Sequence, residues 1–202
     1  MSMRTFIVGS SHATRLQKYI ERGHDFRLQN HVISIEGISG GMVSSVYQYL
    51  IDIKLFQPDV IFLQIGSNDT SNRSEKVENV LLAVEMLLEI LLLQGVQYIM
   101  FGLLFHRQRV VPRRGLTLKP VKEYNERVDN FNIGIYAITL KFAPYVIHWI
   151  HRGLQFPNCQ ILDDDGVHLS YGEGYSRFLS SLRGALLFAE SHLLGNYFIL
   201  RS

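Results

Sequence analysis

TFIVGSSHATRL, residues 5–16, sets the reading of the fold. Phe6, Ile7 and Val8 are apolar at consecutive positions, so an extended chain here would bury both faces, as strands inside a parallel sheet do. Gly9 turns the chain, and the stretch from His12 to Arg22 is polar and helix-compatible. Two serines at the exit of a buried strand admit two readings. They cap the helix that follows, or one of them is a nucleophile presented at a strand end.

The strand–turn–helix pattern recurs along the chain. His31 to Glu36 alternates as a second strand and runs into Gly37-Ile38-Ser39-Gly40-Gly41, and Val43 to Leu55 repeats apolar residues at helical spacing. Pro58 introduces a third strand, VIFLQI, which ends at Gly66-Ser67-Asn68-Asp69. The apolar positions from Val77 to Leu91 fit one face of a long helix begun at Ser74 and closed by Gly95. Val96 to Phe101 reads as a fourth strand and Tyr145 to Ile150 as a fifth, with a helix from Pro120 to about Leu140 between them. A last helix is expected from Gly172 to Glu190, and the apolar tail from Leu193 to Ser202 is expected to pack on the body or on a neighbouring subunit. Strands alternating with helices at this spacing predict an α/β fold: a three-layer α/β/α sandwich around a parallel sheet of about five strands. The absence of repeats, low-complexity tracts and linkers predicts one domain over residues 1–202.

Bulk properties narrow the function classes. A chain of 202 residues, 47% hydrophobic and 19% charged, can bury a sizeable core and does not have the composition of a disordered protein. A formal charge of +2 does not mark the protein as a whole as a polyanion binder. The single cysteine, Cys159, excludes an intrachain disulfide framework and fits a reducing compartment. The greasiest run, Val80 to Leu93, is interrupted by Glu85 and Glu89 and is too short to span a bilayer. With no secretory leader legible, an intracellular, cytoplasmic location is expected.

In open α/β sheets ligands bind beyond the carboxyl ends of the strands. Those ends carry Gly9-Ser10-Ser11-His12, Gly37 to Gly41, and Gly66 to Asp69, and a late polar run, Asp163-Asp164-Asp165-Gly166-Val167-His168, adds acid and imidazole. A serine hydrolase needs this inventory: a nucleophile, a general base, a carboxylate to orient it, and donors for an oxyanion. Each block alone has a blander reading, as a helix cap, a plain turn, a helix N-terminus or a solvated acidic run. Their joint occurrence reverses the odds.

The four blocks, in this order, resemble those of the SGNH hydrolases, the GDSL-type esterase and lipase superfamily. The resemblance implies Ser11 as nucleophile, His168 as base and Asp165 as its partner. It implies an oxyanion hole from the Ser11 N–H, the Gly40 N–H (with Gly41 as the alternative) and the Asn68 side-chain amide. Ser10 stands where the family has an aspartate outside the triad, and it is expected to cap the helix. The implied reaction is hydrolysis of a small-molecule carboxylic ester through a Ser11 acyl-enzyme, without metal or organic cofactor. Short acyl groups, including O-acetyl on sugars, come first as substrates, and lipid esters second. Some non-LTR retrotransposons encode an esterase domain that resembles this family. The competing reading is a catalytically silent SGNH-like module that binds lipid, glycan or nucleic acid.

Other motifs draw weaker expectations. His12 follows Ser11 too closely to be its base and is placed on the first helix turn. His148 and His151 have a spacing that suits a metal, but without a third ligand packing or surface placement is the better reading. His106, Arg107, Arg109, Arg113, Arg114 and Lys119 form a basic loop, 106–119, read either as a solvated connection or as a contact for anionic lipid, anionic substrate or nucleic acid. The connection from Leu103 to Leu118 is long for an α/β unit, so a lid over the site is expected there if anywhere.

Overall fold

A computed structural model describes residues 2–108, 118–154 and 161–199. Its five strands are β1 (Met3–Gly9), β2 (His31–Gly37), β3 (Val60–Gln64), β4 (Tyr98–Gly102) and β5 (Val146–Trp149). They pair in the order β2-β1-β3-β4-β5, every pair parallel. Helices α1 (Ser11–Glu21) and α6 (Glu173–Ile199) cover one face. A 3₁₀ turn (Val43–Tyr49), α2 (Leu50–Phe56), α4 (Val77–Leu93) and α5 (Leu118–Lys141) cover the other. The short α3 (Ser67–Ser71) follows β3 directly.

The pleat sorts the side chains. Phe6 and Val8 of β1, Ile61 and Leu63 of β3, and Ile99 and Phe101 of β4 point into the layer of α4 and α5. Ile7, Val60, Phe62, Tyr98 and Met100 point into the layer of α1 and α6. Every residue of β3 and β4 is buried, which is why these strands read as unbroken apolar runs rather than alternating ones. The helices answer with periodic stripes. Tyr124, Val128, Phe131, Ile135 and Ile138 line α5 at steps of three and four residues, and Tyr175, Phe178, Leu182, Ala185, Leu186 and Ala189 do the same on α6.

The expected sandwich and its five parallel strands are therefore present, with local differences. The stretch read as one helix from Val43 to Leu55 is a 3₁₀ turn followed by α2, which ends with Gln57 in the left-handed conformation at φ 49°. The last helix continues past Glu190 to Ile199, and Leu193 packs against the core on the α1–α6 side. Residues 200–202 of the apolar tail, and Cys159, lie outside the described residues.

From β1 the chain moves outward to β2, then returns across β1 to build β3, β4 and β5. The order reverses between β1 and β3, and a crevice opens at the carboxyl ends of the strands on either side of such a reversal. Ser11 follows β1 and Asn68 follows β3, so topology alone brings these two blocks to one place.

Close packing of α1 on β2 depends on a missing side chain. A Cβ on Gly37 would stand 2.1 Å from the Thr14 backbone nitrogen and 2.4 Å from its Cα. Neither atom can yield without moving the helix that begins with Ser11. Gly37→Ala is expected to cost about 3 kcal/mol, the upper end of what overpacking costs. Urea unfolding is the check: the midpoint should fall with the slope unchanged.

Candidate active site

Ser11 is the first residue of α1, and β1 ends at Gly9, with only Ser10 between them. Ser10 N–H donates to Gln64 O at 3.1 Å and Ile38 N–H donates to Gly9 O at 2.9 Å, so the turn is stitched to the strands on both sides. The first turn of a helix leaves its N–H groups without intrahelical acceptors. Here the Ser10 carbonyl accepts the Ala13 and Thr14 N–H groups at 3.0 and 3.3 Å.

His168 comes from a tight loop closed by a bridge between Leu162 and Leu169. Within it, Asp163 N–H donates to His168 O at 2.7 Å and Gly166 N–H donates to Asp163 O at 2.9 Å, with Gly166 at φ +66°. This closure folds Asp165 back onto His168. Its Oδ1 accepts the Val167 and His168 N–H groups, both at 2.9 Å, and its Oδ2 lies 2.6 Å from His168 Nδ1. The other ring nitrogen, Nε2, lies 3.1 Å from Ser11 Oγ. Residues 157 positions apart are thereby joined in one chain of hydrogen bonds.

The protonation states follow from this geometry. Burial by itself would raise the Asp165 pKa, but the His168 ring and the two backbone N–H groups outweigh it and hold the carboxyl at about 2. An ionised carboxylate only accepts, so His168 Nδ1 carries the proton and Nε2 is left as an acceptor for the Ser11 hydroxyl. Arg15, one helical turn after Ser11, adds positive charge behind the pair. Its Nη1 is 3.2 Å from Asp163 Oδ2, and its Nη2 is 3.9 Å from Asp165 Oδ2.

On the opposite wall, Asn68 Nδ2 donates to Gly41 O at 2.9 Å. Both carboxylate oxygens of Asp69 accept the Val43 N–H, at 3.2 and 3.1 Å. These two bonds tie the 37–43 loop to α3 and so fix where Gly40 stands. Gly40 has φ +75° and open space where a Cβ would be, and no acceptor for its N–H is found among the described residues. A primary amide has two N–H hydrogens, so the bond to Gly41 leaves Asn68 with one more.

Ser11, Gly40, Asn68 and His168 line a cavity of about 550 Å³ that Phe105 and Tyr171 also wall. Asp165 stands behind His168, outside that lining. His12, on the first turn of α1 as expected, is a buried floor residue, edge-on to Phe105 and 5.9 Å from the His168 ring. Burial, reinforced by His168 and by the nearby Arg15, His151 and Arg107, lowers its pKa to about 3, so it is neutral.

Comparison with solved structures places this geometry in context. A GDSL-like lipase from Bacteroides thetaiotaomicron VPI-5482 superposes with a TM-score of 0.70 at 17% identity, over 92% of this chain and 88% of that one. A structure described as a platelet activating factor of Streptococcus pneumonia gives 0.66 at 19% identity, over 92% and 85%. An acetyl esterase mutant with an acetate ion gives 0.65 at 12% identity, over 94% and 99%. No protein-family model and no curated protein matches the sequence. The fold is that of the SGNH hydrolases.

Within the SGNH fold the side-chain cap expected of Ser10 is not made, and two neighbouring loops can be described further. Ser10 occupies the position before α1, and its carbonyl accepts Ala13 and Thr14 N–H groups, but its side chain makes no cap. The hydroxyl is buried and turned toward α3, 3.4 Å from Ser67 Oγ, where it links the first and third loops instead. Gly41, the alternative to Gly40, is placed differently from it. It is buried, and its N–H is committed to Ile38 O at 2.9 Å in the turn that presents Gly40. Most of the 103–118 connection, where a lid was expected if anywhere, lies outside the described residues, and its start packs into the body. Leu103, Leu104 and Phe105 are buried, and Asn132 holds both the N–H and the carbonyl of Leu104.

Of the basic stretch, His106 and Arg107 are described. His106 Nε2 meets Asp129 Oδ1 at 2.8 Å, while Arg107 lines the SGNH-fold cavity with its guanidinium 3.8 Å over Tyr124. Arg109, Arg113 and Arg114, and the Lys119 side chain, lie outside what the structure describes. His151 is a packing residue, bonded to Gln64 at 2.9 Å and Ser181 at 3.0 Å, and His148 meets Thr139 at 3.1 Å. Among the described residues no group of side chains is arranged to hold a metal ion. No described helix is long and apolar enough to cross a membrane. Two contributors escaped the sequence reading. Asp69 was visible only as a turn former, and Arg15 reads as an ordinary helix cation until Asp163 is folded against it.

Proposed function

We propose that the protein is a serine hydrolase of carboxylic esters. The observation that carries this reading is the continuous path Asp165–His168–Ser11, at 2.6 and 3.1 Å, ending in a cavity at the strand-order reversal. Solved structures of the same fold include a lipase, an acetyl esterase and a carbohydrate esterase, which supports ester chemistry as the class.

In the proposed reaction Ser11 Oγ adds to the ester carbonyl as its proton passes to His168 Nε2. The imidazolium is stabilised by the ionised Asp165 at Nδ1. The tetrahedral oxyanion is met by the Ser11 and Gly40 N–H groups and the second Asn68 amide hydrogen. Collapse breaks the carbon–oxygen bond to the alcohol, which leaves with the proton from His168. Water then adds to the acyl-enzyme by the same route, releasing the carboxylic acid and restoring Ser11. Short acyl groups such as acetyl are the proposed substrates, with lipid esters as the longer-chain case. An unbroken hydrogen-bonded path is the observation that favours turnover over a silent binding module.

Hydrolysis of p-nitrophenyl esters of increasing chain length, wild type beside Ser11→Ala, tests the reading. Turnover that falls with chain length and vanishes in the variant is expected. Equal rates for the two proteins at every length would refute it. Asn68→Ala is expected to lower kcat by about 10²–10³-fold, the usual loss for one oxyanion donor. The same plate-reader assay measures it.

A further inference from the structure

We propose that the ester hydrolysed here carries a negative charge of its own, a phosphate or carboxylate away from the reacting carbonyl, and that Arg107 and Lys18 bind it. The inference rests on the hydrolase reading of the site. It starts from the charges on the cavity wall. Three cations line it, Arg15, Lys18 and Arg107, against one carboxylate, Asp163. Arg15 and Asp163 pair at 3.2 Å and cancel. Among the described residues no carboxylate lies within ion-pair distance of Lys18 or Arg107, so two positive charges on the wall are uncompensated. A neutral acetyl ester makes no use of them.

Arg107 is also held in place before any ligand arrives. Asn125 accepts its N–H at 2.8 Å and donates to its carbonyl at 2.9 Å, and its guanidinium stacks on Tyr124. A guanidinium fixed on one face still offers its N–H edge to a planar or tetrahedral anion, and little conformational freedom remains to be lost on binding. Lys18 reaches the cavity from α1, seven residues after Ser11. At 1.5 Å rise per residue its backbone stands about 10 Å along the helix from the nucleophile. A substrate anion is thus read some distance from the bond that breaks. The field at the cavity floor has the same sign, since Arg15 and Arg107 both oppose protonation of His12.

The test compares phenyl acetate with 4-acetoxyphenyl phosphate on the full chain, at low and high salt. The phosphate-bearing ester is expected to be favoured in kcat/KM by about ten- to a hundredfold, the range for hydrogen bonds to charged groups. The difference should lie mainly in KM, shrink with salt, and collapse toward unity in the Arg107→Gln, Lys18→Gln double variant. A ratio near unity in the wild type, with Ser11-dependent turnover of phenyl acetate, overturns the anion proposal and leaves the hydrolase reading standing. If neither ester turns over, the hydrolase reading falls. Calorimetric titration of phenyl phosphate into Ser11→Ala then decides the anion site alone. Binding that weakens about tenfold or more with Arg107→Gln supports it, and no binding overturns it. Sedimentation with phosphatidylserine-containing vesicles separates the sources. Binding to vesicles as well as to phenyl phosphate assigns the anion to a lipid headgroup, and phenyl phosphate binding alone assigns it to a soluble ester.

Discussion

His168→Ala is expected to lower kcat for phenyl acetate by about 10⁴–10⁶-fold, the scale seen when the base of such a relay is removed. The loss is large because in the proposed reaction one ring performs two transfers, taking the Ser11 proton at Nε2, 3.1 Å away, and returning it to the leaving alcohol. Asp165→Asn should come close to it, at about 10⁴-fold, for a different reason. The carboxylate fixes which ring nitrogen bears the proton. An asparagine can turn its amide N–H toward Nδ1, and the imidazole then presents Nε2–H to a hydroxyl that needs an acceptor. KM should move little in either variant, since neither side chain supplies binding to the ground-state ester. Steady-state kinetics separate kcat from KM directly. A loss confined to KM in both variants would remove the relay from the mechanism.

The second large effect is on stability and comes from two buried imidazoles. His12 and His151 are both buried, and burial, the leading cause in each, lowers their pKa from the ordinary 6.5 to about 3. Folded, they stay neutral through the mildly acidic range; unfolded, they take up protons below about pH 6.5. Their stabilising contribution is therefore complete above pH 6.5 and is lost progressively as pH falls toward 3. Two protons taken up on unfolding correspond to about 2.7 kcal/mol lost per pH unit within that window. Denaturant unfolding from pH 7 to pH 5 measures the slope, and His151→Gln should halve the part due to these two groups. A flat profile across that range would contradict the burial of both rings. Acid inactivation is then expected to follow unfolding, and activity and unfolding should be followed on the same samples.

Much of the fold was legible because its signal is local. VIFLQI announces a strand buried on both faces, and the three- and four-residue steps of the α4 and α5 stripes announce helices packed on one side. Boundaries were less legible where packing decides them. The Val43–Leu55 stretch has helical periodicity throughout, yet its first half is wound tighter, with the Val43 N–H drawn to Asp69. The site divides in the same way. Residue types and chain order singled out Ser11, Asn68, Asp165 and His168, but nothing in the spacing could show that the reversal between β1 and β3 stacks their loops. Ser10 shows the limit most clearly. A serine before a helix is a good cap in isolation, and only the nearness of Ser67, 57 residues on, shows that its hydroxyl is engaged elsewhere. Gly40 and Gly41 are interchangeable on paper. One turn hydrogen bond to Ile38 O distinguishes them.

The central claim is that Ser11 is the nucleophile that forms the acyl-enzyme, and a mechanism-based label tests it most directly. The protein is incubated with a fluorophosphonate, digested, and the modified peptide is identified by mass spectrometry. Stoichiometric label on Ser11 is expected, slowed sharply in His168→Ala and absent in Ser11→Ala. No label, or label on Ser10 or Ser67 in its place, would contradict the account.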